Sequence, residues 1–250
     1  MTTRTRPRTV YFFGTCLIDL FYPQAGLAGM ELLRRAGVEV VFPQSQTCCG
    51  QPARNSGRFD EAREVARLQL DAFPEDWPIV VPSGSCAGMM KVHYPQLFEG
   101  DPDHSRAVAF ARRVFELTQF LVEVLDVKLT DAGQPVTVTW HPSCHSMREM
   151  GVIDQPKRLL AQLANVTVVE NPREKECCGF GGVFAVRQPE VSGAMVADKV
   201  DSIQATGAAL VVSGDCGCLM NIGGAAEKAN AGFKTRHIAE FLMERCHDRR

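Results

Sequence analysis

The sequence predicts an α/β protein made of two pseudo-symmetric repeats, each a parallel β-sheet flanked by helices, with cysteines at the carboxyl ends of the strands. Three observations predict this. Short apolar runs alternate with stretches of helical periodicity. A cysteine motif follows each apolar run. The motifs of the first half return in the same order in the second. Cys16 follows the apolar run 10–13, and Cys144 follows 136–140. Cys48-Cys49-Gly50 returns as Cys177-Cys178-Gly179, and the run ending in Cys86 returns as the run ending in Cys216. These matches lie 128, 129 and 130 positions apart, a near-constant period that marks duplication. The expected domains are 1–130 and 131–250, joined at the turn-rich stretch Asp131-Ala132-Gly133-Gln134-Pro135.

The elements follow in order. Residues 10–13 read as a strand, and 26–35 as a helix stopped by Gly37. Residues 38–42 form a second strand. Phe59, Ala62, Ala66, Leu70 and Phe73 lie on one face of a helix over 58–73. Ile79, Val80 and Val81 form a third strand, short and apolar as buried parallel strands are. The second half repeats this with strands at 136–140, 166–169 and 209–212, and helices near 156–163, 190–204 and 237–245. Strand–helix–strand alternation implies right-handed crossovers and a parallel sheet. The carboxyl ends of such strands share one edge, where ligands bind. Cysteines far apart in sequence are therefore expected to converge there.

Composition narrows the function. The 250 residues carry 27 Lys plus Arg against 29 Asp plus Glu, a formal charge of −2, so no basic excess exists to grip nucleic acid. Arg4, Arg6 and Arg8 precede an apolar stretch, 11–18, which looks like a short leader. Asp19 interrupts it and the stretch has a counterpart in mid-chain, so it reads as a strand of a cytoplasmic protein. No run is long and apolar enough to span a membrane. No GxGxxG, P-loop or serine nucleophile elbow is present.

Ten cysteines are the informative feature. Nine fall into two sets: Cys16, Cys48, Cys49 and Cys86, then Cys144, Cys177, Cys178, Cys216 and Cys218. Cys246 reads as a structural or incidental thiol in a terminal helix. Three chemistries compete for the sets. An adjacent cysteine pair suits an iron–sulfur cluster, whose irons are spread over a few ångströms. Structural zinc takes four sulfurs around one ion, usually from CxxC knuckles. A disulfide between adjacent cysteines is strained, and a cytosolic chain stays reduced. Gly179, Gly181 and Gly182 after the second pair let backbone N–H groups approach a sulfur, or simply close tight turns.

The repeated Cys…Cys-Cys-Gly…Cys pattern resembles the cysteine-rich CCG domain found in heterodisulfide reductase and in the iron–sulfur component of glycolate oxidase. Thr15-Cys16-Leu17, Thr47-Cys48-Cys49-Gly50-Gln51-Pro52-Ala53, Asn55-Ser56-Gly57 and Pro82-Ser83-Gly84-Ser85-Cys86 are similar to the L-lactate utilisation protein A family within it. So are Cys177-Cys178-Gly179-Phe180-Gly181-Gly182 and Asp215-Cys216-Gly217-Cys218-Leu219-Met220-Asn221-Ile222-Gly223-Gly224. The resemblance covers residues 10–242. It implies an iron–sulfur electron-transfer subunit of a cytosolic complex that oxidises L-lactate to pyruvate. Its partners are then a larger LutB-like iron–sulfur protein and a small LutC-like protein. It implies one or two clusters, [4Fe–4S] or non-cubane, with zinc as a substitute, on the nine cysteines named above. The alternatives are a heterodisulfide-reductase-like or glycolate-oxidase-like redox subunit, and a zinc or thiol assembly subunit that carries no electrons. No catalytic residue is assigned, and activity is expected only with partner subunits.

The chain departs from the full CCG pattern, which ends each half in CxxC. The first half reads Cys86-Ala87-Gly88-Met89 and the second Cys216-Gly217-Cys218. Four sulfurs suffice for [4Fe–4S], and a five-sulfur cluster stays open only in the second half. If one half alone is loaded, the second is expected. His141 and His145 flank Cys144, and His145 reads either as a group that ligates, donates to sulfur or moves protons, or as a histidine hydrogen-bonded in a strand-end loop. Arg54, Arg148 and Arg187 lie near the cysteine motifs and read first as solvated surface arginines, with a guanidinium grip on a carboxylate as the alternative. His93 and Tyr94 read as ordinary loop residues.

Overall fold

The structure is a computed structural model that describes residues 6–246. The first half runs β1 (Thr9–Phe12), α1 (Cys16–Phe21), α2 (Pro23–Arg35), β2 (Glu39–Val41), α3 (Gln51–Asn55), α4 (Phe59–Ala72), β3 (Ile79–Val81), α5 (Gly84–Gly88), α6 (Tyr94–Leu97), α7 (His104–Arg113), β4 (Val114–Glu116) and α8 (Leu117–Gln119). The second runs β5 (Val136–His141), α9 (Cys144–Arg148), α10 (Asp154–Leu160), β6 (Val166–Val168), α11 (Val183–Arg187), α12 (Pro189–Gln204), β7 (Leu210–Ser213), α13 (Cys216–Ala229), β8 (Lys234–His237) and α14 (Ile238–Arg245). Every strand pair is parallel, and the sheet orders are β2-β1-β3-β4 and β6-β5-β7-β8. The expected α/β fold with two equivalent parallel sheets is what the chain adopts.

Each sheet has one strand more than the sequence pattern suggested. β4 has three residues directly after α7, and β8 (Lys-Thr-Arg-His) is polar because it lies at a sheet edge. Helix α13 was also not expected, since its Gly-rich start reads as a turn. Tyr94 is no loop residue: it opens α6 fully buried, and the π-type turn Met89–His93 joins it to α5. Arg4 of the leader-like stretch lies outside the described residues, while Tyr11 and Phe12 lie in β1, paired with β3.

Strand register corrects the repeat alignment. Phe12 pairs with Val80 in the first sheet, and Trp140 with Val212 in the second. Cys16 and Cys144 each lie four positions beyond those first partners. Counting six positions beyond the second partners sets Cys86 against Cys218. Cys216 therefore occupies the place of Gly84, not of Cys86. The helix caps agree, because Ser83 caps α5 and Asp215 caps α13 at equivalent positions.

The two sheets share a core. Val10, Phe12, Val80 and Phe120 of the first half pack in one cluster with Val138, Trp140, Val212 and Phe241 of the second. Each such side chain contributes about 1.5–3 kcal/mol through removal from water. Outer cores lie under α4 and α7 in the first half and between α12 and α13 in the second. The carboxyl ends of the strands meet across the join. The buried Asp215 carboxylate accepts from Ser83 Oγ at 3.1 Å, from Ser85 N at 3.0 Å and from Gly217 N at 3.1 Å. His237 Nδ1 accepts from Ala239 N, so Nε2 carries the proton and donates to Pro82 O at 3.0 Å. Glu116 holds the place equivalent to His237, opposite Val81 as His237 is opposite Ser213. Burial pushes its carboxyl up to about 7, against hydrogen bonds from Thr118 and Gln119. At the far end Arg245 and Asp131 form a buried ion pair at 2.7 Å that ties α14 to the linker.

Asp215→Ala removes a helix cap and strands two donors of the other repeat. It is expected to cost about 2–4 kcal/mol in urea unfolding of the metal-free chain. Glu116 holds a proton in the fold up to about pH 7 that the unfolded chain releases near 4.5. Stability from this group is thus greatest below 4.5 and falls, by on the order of 2–3 kcal/mol, as pH rises to 7. Glu116→Gln is expected to flatten that slope in melts across pH 5–8, on the linkage argument.

Candidate metal centre

In the first half the sheet brings four thiols together. Cys16 starts α1 just beyond β1, behind Thr15, whose Oγ1 accepts from Ile18 N. Cys48 and Cys49 lie beyond β2, and Gly50 follows at φ 85°, a left-handed turn that lets α3 start at once. Cys86 lies in α5 beyond β3. Cys16 Sγ is 3.8 Å from Cys48 Sγ, and Cys49 Sγ is 3.5 Å from Cys86 Sγ. The loop is pinned from behind. Gln69, buried in α4, donates to Thr47 Oγ1 at 2.6 Å, and Tyr94 OH donates to Cys49 O at 3.0 Å.

The second half repeats the arrangement with Cys144 at the start of α9, Cys177 and Cys178 beyond β6, and Cys218 in α13. Gly179, at φ 82°, turns its N–H onto Cys177 Sγ at 3.4 Å. Asn221 donates to Cys178 O at 2.8 Å, and Ser192 donates to Gly179 O at 2.8 Å.

Thiol protons are shared within each group. Cys16 donates to Cys48 and Cys49 to Cys86; contact with Cys16 and then Cys49 holds the Cys48 pKa down at about 3 and pushes Cys16 and Cys49 up. Cys144 and then Cys178 donate to Cys177, which is held at about 2, while Cys144 and Cys178 go up. Cys48 and Cys177 are thus the thiolates of the two groups.

Cys216 behaves differently. It is buried, its thiol is pushed up by burial, Asp215 and Glu240, and no sulfur hydrogen bond contributes. It lines the same cleft as the other eight but does not join either ring of sulfur contacts. Both groups open on that one cleft, a space of about 340 Å³ between the repeats that Ser83, Ser143 and Asp215 also line.

The two groups have different neighbours. Buried Ala62, Ala66, Gln69 and Leu70 of α4 match buried Ser192, Val196, Lys199 and Val200 of α12 in spacing, so Gln69 is replaced by Lys199. Lys199 is buried and donates to Arg173 O at 2.6 Å. His141 is buried beside Cys178 and Cys218, and neither ring nitrogen has a hydrogen-bond partner. Burial, then Lys199, pushes its pKa down to about 3, so the ring is neutral. His145 lies 4.0 Å from Cys144 Sγ and 3.8 Å from Glu149. His93 also bonds Glu149, at 3.0 Å. Arg54, Arg148 and Arg187 do not line the cleft, and among the described residues no other arginine or lysine does.

The donor set fits a thiolate-bound metal or iron–sulfur group. All cysteines are free, eight sit in two groups of four, and each group already holds a thiolate. A metal would replace the protons that those sulfurs now share. Sequence reasoning missed Asp215, Gln69 and Lys199. The signal for Gln69 and Lys199 is the matched spacing of buried positions in α4 and α12, visible only once burial is known; that for Asp215 is its place as a helix-capping residue before Cys216.

Known proteins agree with this geometry. A family model described as a cysteine-rich domain, CCG, matches twice, over residues 10–91 and 138–223. A lactate utilization protein A from Geobacillus sp. (strain WCH70) is 45% identical over 94% of this chain and 99% of its own length. One from Macrococcus caseolyticus (strain JCSC5402) is 46% identical over 93% of this chain and 95% of its own length. A crystal structure of a hypothetical protein from Helicobacter pylori superposes on 98% of this chain with TM-score 0.67 and 10% identity. This chain covers 50% of that one, and the likeness is one of fold.

The thiolates are open to a chemical check. At pH 6 iodoacetamide is expected to label Cys48 and Cys177 of the metal-free chain first, with the other cleft cysteines slower by about tenfold or more. Peptide mass spectrometry reads the order.

Proposed function

The chain belongs to the lactate utilization protein A family of cysteine-rich CCG-domain proteins, and on that footing we propose that it is an iron–sulfur electron-transfer subunit of a complex oxidising L-lactate to pyruvate. The observation that carries this reading is the convergence of two four-thiol groups on one cleft. Cys16, Cys48, Cys49 and Cys86 would hold one group, and Cys144, Cys177, Cys178 and Cys218 the other. The reading divides the chain at 130/131 into two such domains that share one core.

An iron–sulfur cluster supplies reversible one-electron transfer when bound. This chain's residues do the rest. Eight sulfurs fix the positions, and Gly179 N–H stabilises negative charge on Cys177. The apolar side chains of Phe180 and Val183 in the cleft wall limit water. Lactate oxidation releases two electrons and two protons, and among the described residues the cleft lining offers no lysine or arginine for a carboxylate. Substrate oxidation is therefore assigned to LutB-like or LutC-like partners, and electron passage to this subunit. Exposed Leu20, Phe21 and Val186 give apolar surface for such partners. No described helix is long and apolar enough to cross a membrane.

The test is anaerobic reconstitution of the full chain with ferrous iron and sulfide. Expected are bound iron, acid-labile sulfide and a broad absorbance near about 400 nm that dithionite bleaches. Cys49→Ser and Cys178→Ser should each remove roughly half the iron, as expected of separate cysteine-held clusters. Cys216→Ser should keep it. Stoichiometric zinc without sulfide, or iron content indifferent to both of the first two changes, overturns the reading.

A further inference from the structure

We propose that His141 is a ligand of the second centre: one imidazole nitrogen, rather than the Cys216 sulfur, is the further donor beside Cys178 and Cys218. The two centres then differ in kind, the first bound by sulfur alone and the second by sulfur and nitrogen. This inference rests on the metal-binding reading above, but on different atoms.

The first argument is an unmet need. His141 is 2% exposed, and both its ring nitrogens lack a partner. Buried polar groups almost always find one, and an orphan calls for a missing ion or ligand. The second is position. A ring nitrogen of His141 and the Sγ atoms of Cys178 and Cys218 all lie within 4.8 Å of one another. Two sulfurs and one nitrogen at that spacing surround a common point at metal–ligand distance.

The third argument comes from the duplication. The register that sets Phe12 against Trp140 sets Phe13 against His141. Phe13 is fully buried in the outer core of the first half. The fold is therefore content with hydrocarbon at this position, and packing alone gives no reason for an imidazole. The fourth is the fate of Cys216. Its place in the other repeat is Gly84, and it shares no proton with another sulfur. Ser213 faces His141 across β5 and β7, and its hydroxyl is also unpartnered. That hydroxyl would be the acceptor for the second ring nitrogen once the first is bound, the support that metal-bound histidines use.

A neutral nitrogen donor in place of added thiolate charge raises the potential of an iron–sulfur centre. The second centre is thus the electron sink of the pair.

The test uses the full chain loaded anaerobically with iron and sulfide, reduced with dithionite, and grown with either natural-abundance or nitrogen-15 histidine. Pulsed electron paramagnetic resonance is expected to show a directly coupled nitrogen whose frequency changes with the label. No substitution is needed for that result. His141→Phe, which copies the first repeat, should abolish the coupling, keep the sulfide content and lower the midpoint potential of one centre. His145→Gln and Cys216→Ser should keep the coupling. Identical spectra from the two labellings of an iron-loaded chain overturn the assignment to His141, and so does loss of coupling in His145→Gln alone. If the chain takes up no iron and sulfide, the electron-transfer reading falls by itself. His141 is then read with cobalt(II) as the probe. Visible bands that shift in His141→Phe support ligation, and unchanged bands overturn it.

Discussion

A parallel strand hands its next residues to one edge of its sheet only, and this constraint organises the whole molecule. Cys16, Cys48 and Cys86 are separated by 32 and 38 positions, yet each follows a strand of one sheet, so their backbones arrive at the same edge. The order β2-β1-β3-β4 places β1 between β2 and β3, the strands that lead to the other thiols. Nothing in the cysteines themselves would gather them. Four sulfurs with shared charge repel, and the hydrophobic cores on both faces of each sheet hold them in place.

Duplication adds the second constraint. Two sheets that share a core through Phe12 and Trp140 turn their carboxyl edges toward one another, so nine sulfurs line one cleft rather than two surfaces. The join is polar and asymmetric. Where two identical halves would set Ser83 against its own copy, Asp215 faces it and accepts from both Ser83 and Ser85. At the position equivalent to His237 the first half carries Glu116, whose carboxyl is pushed up by burial. The contact of Asp215 with Ser83 replaces a like pair by a complementary one. Duplicated halves gain from diverging first where they touch, because identical polar groups facing each other cannot both be donor and acceptor.

Much of this was legible in the sequence, for definite reasons. The apolar runs of β1, β3 and β7 lie in the interior, so their period is uninterrupted. Phe59–Ala72 shows its helix plainly because it has one wet face and one dry one. Strand β4 was not legible because its three residues follow α7 without a break, and β8 because Lys-Thr-Arg-His is polar at a sheet edge. The equivalence of Cys86 with Cys218 was also hidden. Both Cys216 and Cys218 fit a match by letters alone, and only hydrogen-bond register between strands decides between them. The same holds for Lys199. A lysine in a sequence reads as solvated until the turn of α12 buries it against the Arg173 carbonyl.

Divergence around the centres follows the same logic as divergence at the join. The first centre is backed by Gln69 and Phe13, the second by Lys199 and His141. A buried ammonium beside thiolates lowers the cost of adding negative charge, because in a poorly screened interior a positive neighbour is felt at full strength over several ångströms. A neutral amide and a phenyl ring do nothing of the kind. Two sites with the same topology therefore need not bind an electron equally well. The difference is written in four side chains, of which Gln69, Phe13 and Lys199 stand outside the proposed ligands and His141 among them. Sheet geometry fixes where the thiols meet, and the residues packed behind them set how strongly each group attracts charge.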